Sequence, residues 1–280
     1  MGKRSCLAQL LCVAMMMGSI ASYEQAAAAV EDEGPESPVS SPPMSLDDPG
    51  TPGPHGLEVN FVGTLTRLGP GHSSEGLLDA NYGIGDRLQL KYERPYVTEH
   101  ASGTEFQHGI GATEIGVKWR FVDRHELEIA FYPQYQFDDG FTLKDEEGIP
   151  EASEGRSVYL PLLISENMAR VYTLAANYGY RRNLDGRGND NNIGLGIGRA
   201  MGWQGRVMAE VFSERDESFH NRQTDARVGV FFLPFPKSFE HSSFETPVFA
   251  SLGHSIGKTE SGEKSTTFCF GLSWIRKPRA

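Results

Sequence analysis

The sequence predicts an all-β protein, a closed antiparallel transmembrane β-barrel of about 12 strands, and three observations predict it. Short segments that alternate apolar and polar residues follow one another from residue 57 onward. The connections between these segments are alternately tight and long. The mean hydropathy of −0.39 is too polar for a bundle of membrane helices. Past the N-terminus, no stretch approaches the ~18 apolar residues that a membrane helix requires.

The alternation is clearest in segments 88–93, 114–121 and 126–135. In the first of them Leu88, Leu90 and Tyr92 alternate with glutamine, lysine and glutamate. Because successive side chains of a strand point to opposite faces, each segment has one apolar and one polar face. The predicted strands are 57–67, 76–83, 87–97, 111–121, 126–137, 157–165, 170–181, 191–199, 203–213, 225–234, 245–256 and 265–275.

The connections predict how the barrel is oriented. Tight turns are predicted at 83–86, 122–125, 166–169 and 200–202, and long links near 68–75, 98–110, 138–156, 182–190, 214–224 and 257–264. The segment 234–244 breaks this order. Transmembrane barrels have short periplasmic turns and long extracellular loops, so both termini are predicted to lie in the periplasm. A soluble β-sandwich is the alternative, and it does not explain the alternating lengths.

The N-terminal region has two predicted parts before the barrel. Residues 1–28 fit a signal peptide, with basic Lys3 and Arg4, an apolar run from Leu7 to Ile20, and small residues near Ala26 for cleavage. An uncleaved anchor helix is the alternative. Residues 29–55 are rich in proline, serine and acids, which predicts a flexible leader. Residues 56–280 are then the outer-membrane β-barrel.

Charge and cysteine content limit the possible partners. The net charge of −11 argues against a nucleic-acid partner, since binding phosphates needs a basic face. Two of the three cysteines, Cys6 and Cys12, lie in the signal peptide. Removal of the signal leaves Cys269 alone, which excludes an intramolecular disulfide and a zinc site built on several cysteines. No cofactor and no metal are predicted.

The inward faces of the predicted strands carry charges of both signs. Two interpretations stay open: a pore lining whose charges select polar or anionic solutes, or acids and bases that pair across the lumen and fill a narrow barrel. The candidate lumen-lining residues are Lys91, Glu93, Glu114, Lys118, Arg120, Glu126, Glu128, Arg206 and Glu210.

The sequence offers little support for catalysis, and the chain is predicted not to be an enzyme. His254 and Ser255 are neighbours in a predicted strand and therefore face opposite sides, so they cannot form a catalytic dyad. His100 and His108 share one link and could meet at a metal, although a solvated loop is the simpler interpretation. The acidic link at 138–154 lacks the ordered ligand spacing of a calcium loop.

Glycines alternate with aliphatic residues at 193–198. This run resembles a nucleotide-binding loop, but no helix follows to receive a phosphate. The alternation instead predicts a strand with Gly194, Gly196 and Gly198 on the inner face. Such a thin inner wall leaves space for another element or for a solute.

Four stretches carry a family resemblance: 47–53, 78–93, 116–121 and 132–134. They resemble the bacterial outer-membrane transporter-like family named after a protein of phenol meta-pathway degradation. The resemblance runs from about residue 45 to the C-terminus and is strongest in the first half. It implies an association with aromatic substrates and no catalytic residues. The C-terminus departs from the many outer-membrane barrels that end on an aromatic residue, because Ile275 to Ala280 follow Trp274.

These observations together predict a location and a function. The protein is predicted to lie in the cell outer membrane, in contact with outer-membrane lipid. The predicted function is a channel or transporter-like barrel for passive uptake of a small-molecule solute, with aromatic or hydrophobic solutes as candidates. The alternative is a filled structural or adhesion barrel whose extracellular loops bind a surface partner.

Overall fold

The structure is a computed structural model, which describes residues 41–100, 106–124, 126–142, 155–168, 172–201, 205–234, 244–257 and 262–276. Strands of these residues form one antiparallel sheet. They are β1 (Leu57–Leu68), β2 (Gly71–Ile84), β3 (Leu88–His100), β4 (Gln107–Ile110), β5 (Glu114–Asp123), β6 (Leu127–Phe131), β7 (Gln134–Gln136), β8 (Ser157–Met168), β9 (Tyr172–Asn183), β10 (Asp190–Ala200), β11 (Gly205–Asp216), β12 (Asn221–Phe232), β13 (Phe244–Glu245), β14 (Val248–Ser255) and β15 (Ser265–Arg276).

Three barrel strands are each built from two segments. Both β4 and β5 pair with β3, both β6 and β7 pair with β5 and β8, and both β13 and β14 pair with β15. The sheet therefore contains 12 barrel strands, which confirms the predicted number. No helix among the described residues is long and apolar enough to cross a membrane.

The sheet closes on itself through its first and last strands. β1 pairs with β15 along its whole length, from Leu57 opposite Arg276 to Leu68 opposite Ser265. On its other edge β1 pairs with β2. Because every barrel strand has two neighbours, the backbone donors and acceptors are satisfied within the sheet, as a structure in lipid requires. The predicted fold class, a closed antiparallel barrel, is confirmed.

The connections define two ends of the barrel. The turn end holds the tight turns after β2 and β5, and the loop end holds the links after β3, β7, β9 and β14. Glycine at positive φ makes the tight turn after β2 possible, with Gly85 at φ 61°. Parts of the turns predicted at 166–169 and 200–202, and of the link at 234–244, lie outside the described residues.

Two predicted long links are short turns. At 214–224, β11 continues to Asp216 and β12 already begins at Asn221. The link at 68–75 is a tight turn instead, because β1 continues to Leu68, β2 already begins at Gly71, and Gly69 takes a positive φ of 54°. Ser74, inside the predicted link, is a strand residue whose hydroxyl lies 2.5 Å from that of Thr98 on β3. Strands that extend past the apolar band carry polar residues on both faces. Composition alone therefore cannot distinguish such a strand end from a loop.

The two faces of the wall differ in chemistry. Large apolar side chains on the outer face are exposed, among them Tyr92, Tyr96, Trp119, Phe121 and Phe131. The inner face is mainly polar, with small apolar clusters such as Val62, Phe249 and Cys269. This arrangement, apolar outside and polar inside, inverts that of a soluble protein and is typical of a barrel surrounded by lipid.

Candidate functional site: the lumen of the barrel

The structure places most of the predicted lumen residues on the inner wall. Along β5, Lys118 is 3% exposed while its neighbours Val117 and Trp119 are 44% and 53% exposed on the outer face. Glu210 on β11 is also buried. Arg206 on β11 packs over the ring of Phe231, with 5.1 Å between the guanidinium carbon and the ring centre. The period-two assignment of faces is therefore correct for these strands.

A cluster around Lys91 lies on β3, β5 and β7. The Lys91 ammonium lies 2.9 Å from a carboxylate oxygen of Glu93 and 2.9 Å from one of Glu114. It also donates to the amide oxygen of Gln134 over 3.4 Å. The ring of Tyr132 lies 5.5 Å from the ammonium, within range of a cation–π interaction. One positive charge thus holds two acids in place.

A neutral and acidic network continues from this cluster along β1, β2 and β3. Asn60 donates to Asp79 over 2.8 Å, and Asn81 donates to the same carboxylate over 2.9 Å. Gln89 donates to the side-chain oxygen of Asn81 over 2.6 Å and to the Tyr132 hydroxyl over 3.2 Å. All five side chains are buried. The network fills one side of the lumen with hydrogen-bonded side chains.

Arg120 organises the turn end of the lumen. Its guanidinium pairs with Glu128 over 2.6 Å and with Asp123 over 3.2 Å, and it donates to the backbone oxygen of Asp86 over 2.8 Å. A β-bulge between Arg120 and Val122 shifts the register by one residue and brings Asp123 to the inner face. Strict alternation cannot predict this bulge, and Asp123 was missed because the predicted strand ended at residue 121 and the tight turn was predicted at 122–125.

One predicted lumen residue is wrongly placed. Glu126 lies in the turn before β6 and is exposed, instead of facing the lumen from within the strand. Its position follows from the tight turn, in which Arg124 and Leu127 exchange two backbone hydrogen bonds of 3.1 Å. The predicted strand began one residue too early, which gave Glu126 an inward direction.

The largest difference from expectation concerns the predicted leader. Its first part, residues 29–40, and the signal peptide lie outside the described residues. Residues 41–55, here called the luminal segment, lie inside the barrel, and Met44 and Leu46 are buried there. Its composition predicts that this segment cannot build a core of its own. The barrel wall supplies the partners that composition does not reveal.

Glu210 on β11 receives the luminal segment. Its carboxylate accepts the backbone N–H of Ser45 over 2.9 Å and that of Leu46 over 3.0 Å. The same carboxylate lies 3.7 Å from the guanidinium of Arg227 on β12. The acid therefore does more than balance a charge: it binds two backbone donors that would otherwise be unsatisfied in the lumen.

Lys118 on β5 holds the next residues of the segment. Its ammonium lies 3.0 Å from the Asp47 carboxylate and donates to the backbone oxygen of Asp48 over 2.8 Å. It also lies 4.7 Å from the centre of the Tyr132 ring. Asn177 on β9 donates to the backbone oxygen of Asp47 over 3.0 Å. The segment is thus tied to the wall from several sides.

The far end of the segment is held at Pro43. Its backbone oxygen accepts hydrogen bonds from Ser251 on β14 over 2.8 Å and from Arg227 over 3.2 Å. Glycines make room beside it. A Cβ at Gly194 would lie 2.7 Å from Leu46, and one at Gly229 would lie 2.8 Å from Met44. The luminal segment therefore packs against the thin inner wall that was predicted at Gly194.

Near the turn end the luminal segment approaches β2 backbone to backbone. His55 donates to the oxygen of Gly83 over 3.1 Å, and Gly83 donates to the oxygen of Gly56 over 3.0 Å. A Cβ at Gly83 would lie 1.8 Å from the backbone oxygen of Gly53. Only glycine permits this approach, so the contact between the C-terminal end of the luminal segment and β2 requires that residue 83 have no side chain.

Replacing Gly83 by alanine is expected to detach this part of the segment, because a backbone oxygen cannot give way as a flexible side chain does. We expect faster protease cleavage within residues 41–56 in the folded barrel, measured by mass spectrometry of the fragments. Gly76→Ala is the matched control on the same strand, since nothing lies within 4 Å of its Cβ position. Equal cleavage in the two variants would contradict the close approach.

At the loop end, Asp139 fixes the start of the link after β7. It accepts hydrogen bonds from the backbone N–H of Thr113 over 2.8 Å and from the Thr113 hydroxyl over 2.7 Å, and it pairs with Arg94. Burial alone would raise the pKa of the Asp139 carboxyl, but these hydrogen bonds and Arg94 hold the pKa below its ordinary value. The acid therefore stays ionised at neutral pH and keeps the link anchored.

Side chains considered for catalysis or metal binding do not converge. His254 bonds Thr266 over 2.9 Å on the outer face, while Ser255 is buried and accepts from the backbone of Ser265, so the two do face opposite sides. His108 bonds the hydroxyl of Tyr96. No group of three metal-ligating side chains occurs among the described residues.

The luminal segment is what sequence reasoning missed. It went unrecognised because its prolines and acids are typical of a solvated leader. Two signals could have identified it: the apolar Met44 and Leu46 within a polar stretch, and the family-like motif at 47–53. The apolar residues Met44 and Leu46 indicate side chains that become buried. The motif at 47–53 indicates a stretch with a fixed conformation.

No protein-family model matches the chain, and no curated protein matches it in sequence. Solved structures of outer-membrane barrels are similar to it. An outer-membrane channel from Pseudomonas putida F1 has a TM-score of 0.56 at 12% identity, covering 80% of this chain and 96% of that one. NanC porin has a TM-score of 0.52 at 10% identity, covering 78% and 98%. KdgM porin in complex with disordered oligogalacturonate has a TM-score of 0.51 at 10% identity, with the same coverage. At these identities the likeness shows the fold alone: this chain shares the closed antiparallel barrel of these proteins.

Proposed function

We propose that this protein is an outer-membrane channel for passive movement of small solutes, and that the luminal segment narrows its path. The exposed apolar outer face supports contact with outer-membrane lipid, and the polar inner face supports a path for solutes. By the rule that relates turns to the periplasm, the turn end faces the periplasm. The preference for aromatic or hydrophobic solutes stays a prediction from the family resemblance.

One observation carries this proposal: the middle of the lumen is filled by a segment that is not part of the wall. Opposite it, the wall presents small side chains, including Gly194, Gly229 and Ala175. An open lumen needs small inward residues of this kind. A barrel filled by its own strands would carry large side chains there. Departure of the luminal segment would therefore leave an open passage.

The contacts of the luminal segment are suited to release. They are mainly hydrogen bonds to Glu210, Asn177 and Ser251 and one ion pair to Lys118. Water in a polar lumen can replace such bonds, at a net cost of about 1 kcal/mol for each neutral hydrogen bond and about 1.5–3 kcal/mol for each one to a charged group. The buried apolar contribution of the segment comes chiefly from Met44 and Leu46. These contacts are enough to order the luminal segment. Water molecules can nevertheless replace them when the segment leaves.

A second candidate is a filled structural or adhesion barrel. The observation that favours it is the pairing of lumen charges, since Lys91 and Arg120 each bind two acids of the wall. This pairing supports the interpretation in which acids and bases pair with one another on the inner face. It narrows the lumen along β3, β5 and β6 but does not occupy the glycine-lined side.

Single-channel conductance of the mature protein in a planar bilayer tests the proposal. We expect discrete current steps, small because the luminal segment occupies most of the path, with rarer and larger steps when it leaves. Small solutes added on the loop side should reduce the current. Heat-dependent gel mobility verifies the folded barrel. A folded barrel that never conducts, even with its luminal segment unseated as described in the Discussion, would contradict the channel and favour the filled barrel.

A further inference from the structure

A row of polar side chains crosses the outer face of the wall at the loop end. Each member lies directly opposite the next in the pairing of neighbouring strands. Each is also the last or the next to last residue at the loop end of its strand. None of the five is acidic, in a chain whose net charge is −11. The row, here called the basic row, consists of His100 on β3, His72 on β2, Arg67 on β1, Thr266 on β15 and His254 on β14.

The basic row lies where the outer face changes from apolar to polar. Two residues nearer the middle of β1, β15 and β14 are Leu65, Phe268 and Leu252, which are 50%, 42% and 54% exposed. Residues two apart on a strand share a face, so the basic row and these apolar side chains belong to the same outer surface. Beyond Arg67, β1 continues for one residue only. The basic row therefore has the position of lipid headgroups, and the surface beside it suits acyl chains.

Neighbouring members of the basic row are in contact. The ring centres of His72 and His100 lie 5.1 Å apart. Nδ1 of His254 lies 2.9 Å from the hydroxyl of Thr266, and an imidazole has a second nitrogen that can bind another group. Arg67 gives one of its five N–H donors to a backbone oxygen of its own turn over 3.5 Å. Thr266 lies between Arg67 and His254, about 4.8 Å from each strand, so a phosphate over Thr266 is within reach of all three side chains.

One acid lies close to the basic row. The carboxylate of Glu263 lies beside Gly69, at the tip of the turn between β1 and β2. Lys264 follows it in the chain and is exposed. Two basic side chains, Arg67 and Lys264, therefore accompany one carboxylate, and three imidazoles lie next to them. Charge complementarity thus favours an anionic partner with several oxygen acceptors, as a phosphate has.

A groove of about 530 Å³ in the outer face begins at the basic row and crosses β10, β11, β12 and β14. His254 lines the groove and lies directly opposite Ala226. Ala226 and Ala209 are small, which leaves space between larger aliphatic side chains. Glu210 and Arg227 also border the groove, but their side chains face the lumen, where they lie 3.7 Å apart. The aliphatic side chains of the groove are Leu195, Ile197, Val211, Val228 and Leu252.

We propose that this part of the outer face binds an outer-leaflet lipid whose headgroup carries a phosphate. The phosphate pairs with Arg67 and accepts hydrogen bonds from Thr266 and His254. One acyl chain of the same lipid lies in the groove over Ala226. Binding requires a folded barrel and no conduction, so it does not depend on the proposed channel. A barrel that binds the lipid but never conducts would contradict the channel alone.

The test is binding of short-chain phosphatidic acid to the refolded mature protein in detergent micelles, measured by native mass spectrometry. Phosphatidylcholine with the same acyl chains is the matched lipid, since its choline neutralises the phosphate, and it should bind more weakly. We expect Arg67→Gln to weaken binding of phosphatidic acid about fivefold, the size of effect that an ion pair exposed to water gives. Arg124→Gln removes the same charge from an exposed residue at the turn end and should leave binding unchanged.

A second pair of variants tests the groove. Ala226→Leu fills it and should weaken binding several-fold. Ala80→Leu makes the same change on the outer face of β2, opposite the exposed Tyr92 and outside the groove, and should have no effect. Heat-dependent gel mobility verifies that each variant is folded.

Four results would overturn the proposal. Equal binding of the two lipids, or equal affinity in Arg67→Gln and Arg124→Gln, would show that the basic row does not recognise the phosphate. Displacement of phosphatidic acid by equimolar inorganic phosphate would show that the acyl chain contributes nothing, as would unchanged binding in Ala226→Leu. A protein dimer that Ala226→Leu abolishes would assign the groove to a second copy of the chain instead.

Discussion

Reversing the charge of Lys118 is expected to unseat the luminal segment and to enlarge the conductance several-fold. The side chain of Lys118 is 4% exposed and faces the Asp47 carboxylate at 3.0 Å. Lys118→Glu replaces an attraction by a repulsion between a buried acid and the partly buried Asp47, a change of about 3 kcal/mol. That corresponds to about a hundredfold shift in the equilibrium between seated and released segment. Single-channel recording measures the change in open-state current.

Two further variants make this prediction specific. Arg124→Glu makes the same charge change at an exposed turn residue and should leave the conductance unchanged. Adding Asp47→Lys to Lys118→Glu restores opposite charges in the exchanged order and should return the current toward the wild-type value. An unaltered current in Lys118→Glu, with the barrel folded, would show that this ion pair does not hold the segment. Failure of the exchange to restore the current would point to damage elsewhere in the lumen.

The second large effect concerns stability and the Lys91 cluster. Lys91→Met is expected to lower the free energy of unfolding by about 3 kcal/mol, because it leaves Glu93 and Glu114 facing each other without a cation in a confined space. Both carboxylates lie 2.9 Å from the lysine nitrogen and are mostly buried. Guanidinium titration of the protein in lipid vesicles, followed by tryptophan fluorescence, measures the loss.

The matched control removes an acid from the same cluster. Glu114→Gln leaves Lys91 paired with Glu93, and the new amide oxygen can still accept from the ammonium. We expect a loss of at most about 1 kcal/mol, in the range of a single hydrogen bond. If Lys91→Met and Glu114→Gln lowered the free energy of unfolding by similar amounts, Lys91 would not be the cation that stabilises both acids. Lys91→Met with Glu93→Gln and Glu114→Gln should recover most of the stability.

The inner and outer faces of the strands could be predicted because a period of two is a local property of the chain. Lys118 and Trp119 show it clearly: adjacent in sequence, they lie in the lumen and on the lipid-facing side. The predictions from this pattern failed where a bulge or a tight turn replaced the regular structure that they assumed. The bulge before Val122 turned Asp123 inward, and a two-residue turn at Gly69 replaced a predicted long link.

The candidate site could be predicted only in part, because its partners are distant in the chain. Lys118 and Glu210 were identified as inward charges, yet their partners are Asp47 and the backbone of Ser45, far from either in sequence. Composition indicates only how much apolar surface a segment can bury by itself. It does not show that Gly194 and Gly229, in another part of the chain, leave space for that segment.

Closure between β1 and β15 sets the order in which this molecule can be completed. The final seam joins residues separated by almost the whole barrel sequence, so its contact order is high and its formation slow. Until β15 arrives, β1 presents an unpaired edge, which invites association with other chains. The luminal segment directly precedes β1 and reaches across to Glu210 on β11. Assembly therefore closes the barrel around a segment of the same chain. A nascent chain that lacks β15 has neither the β1–β15 pairing nor an enclosed lumen that could hold its luminal segment.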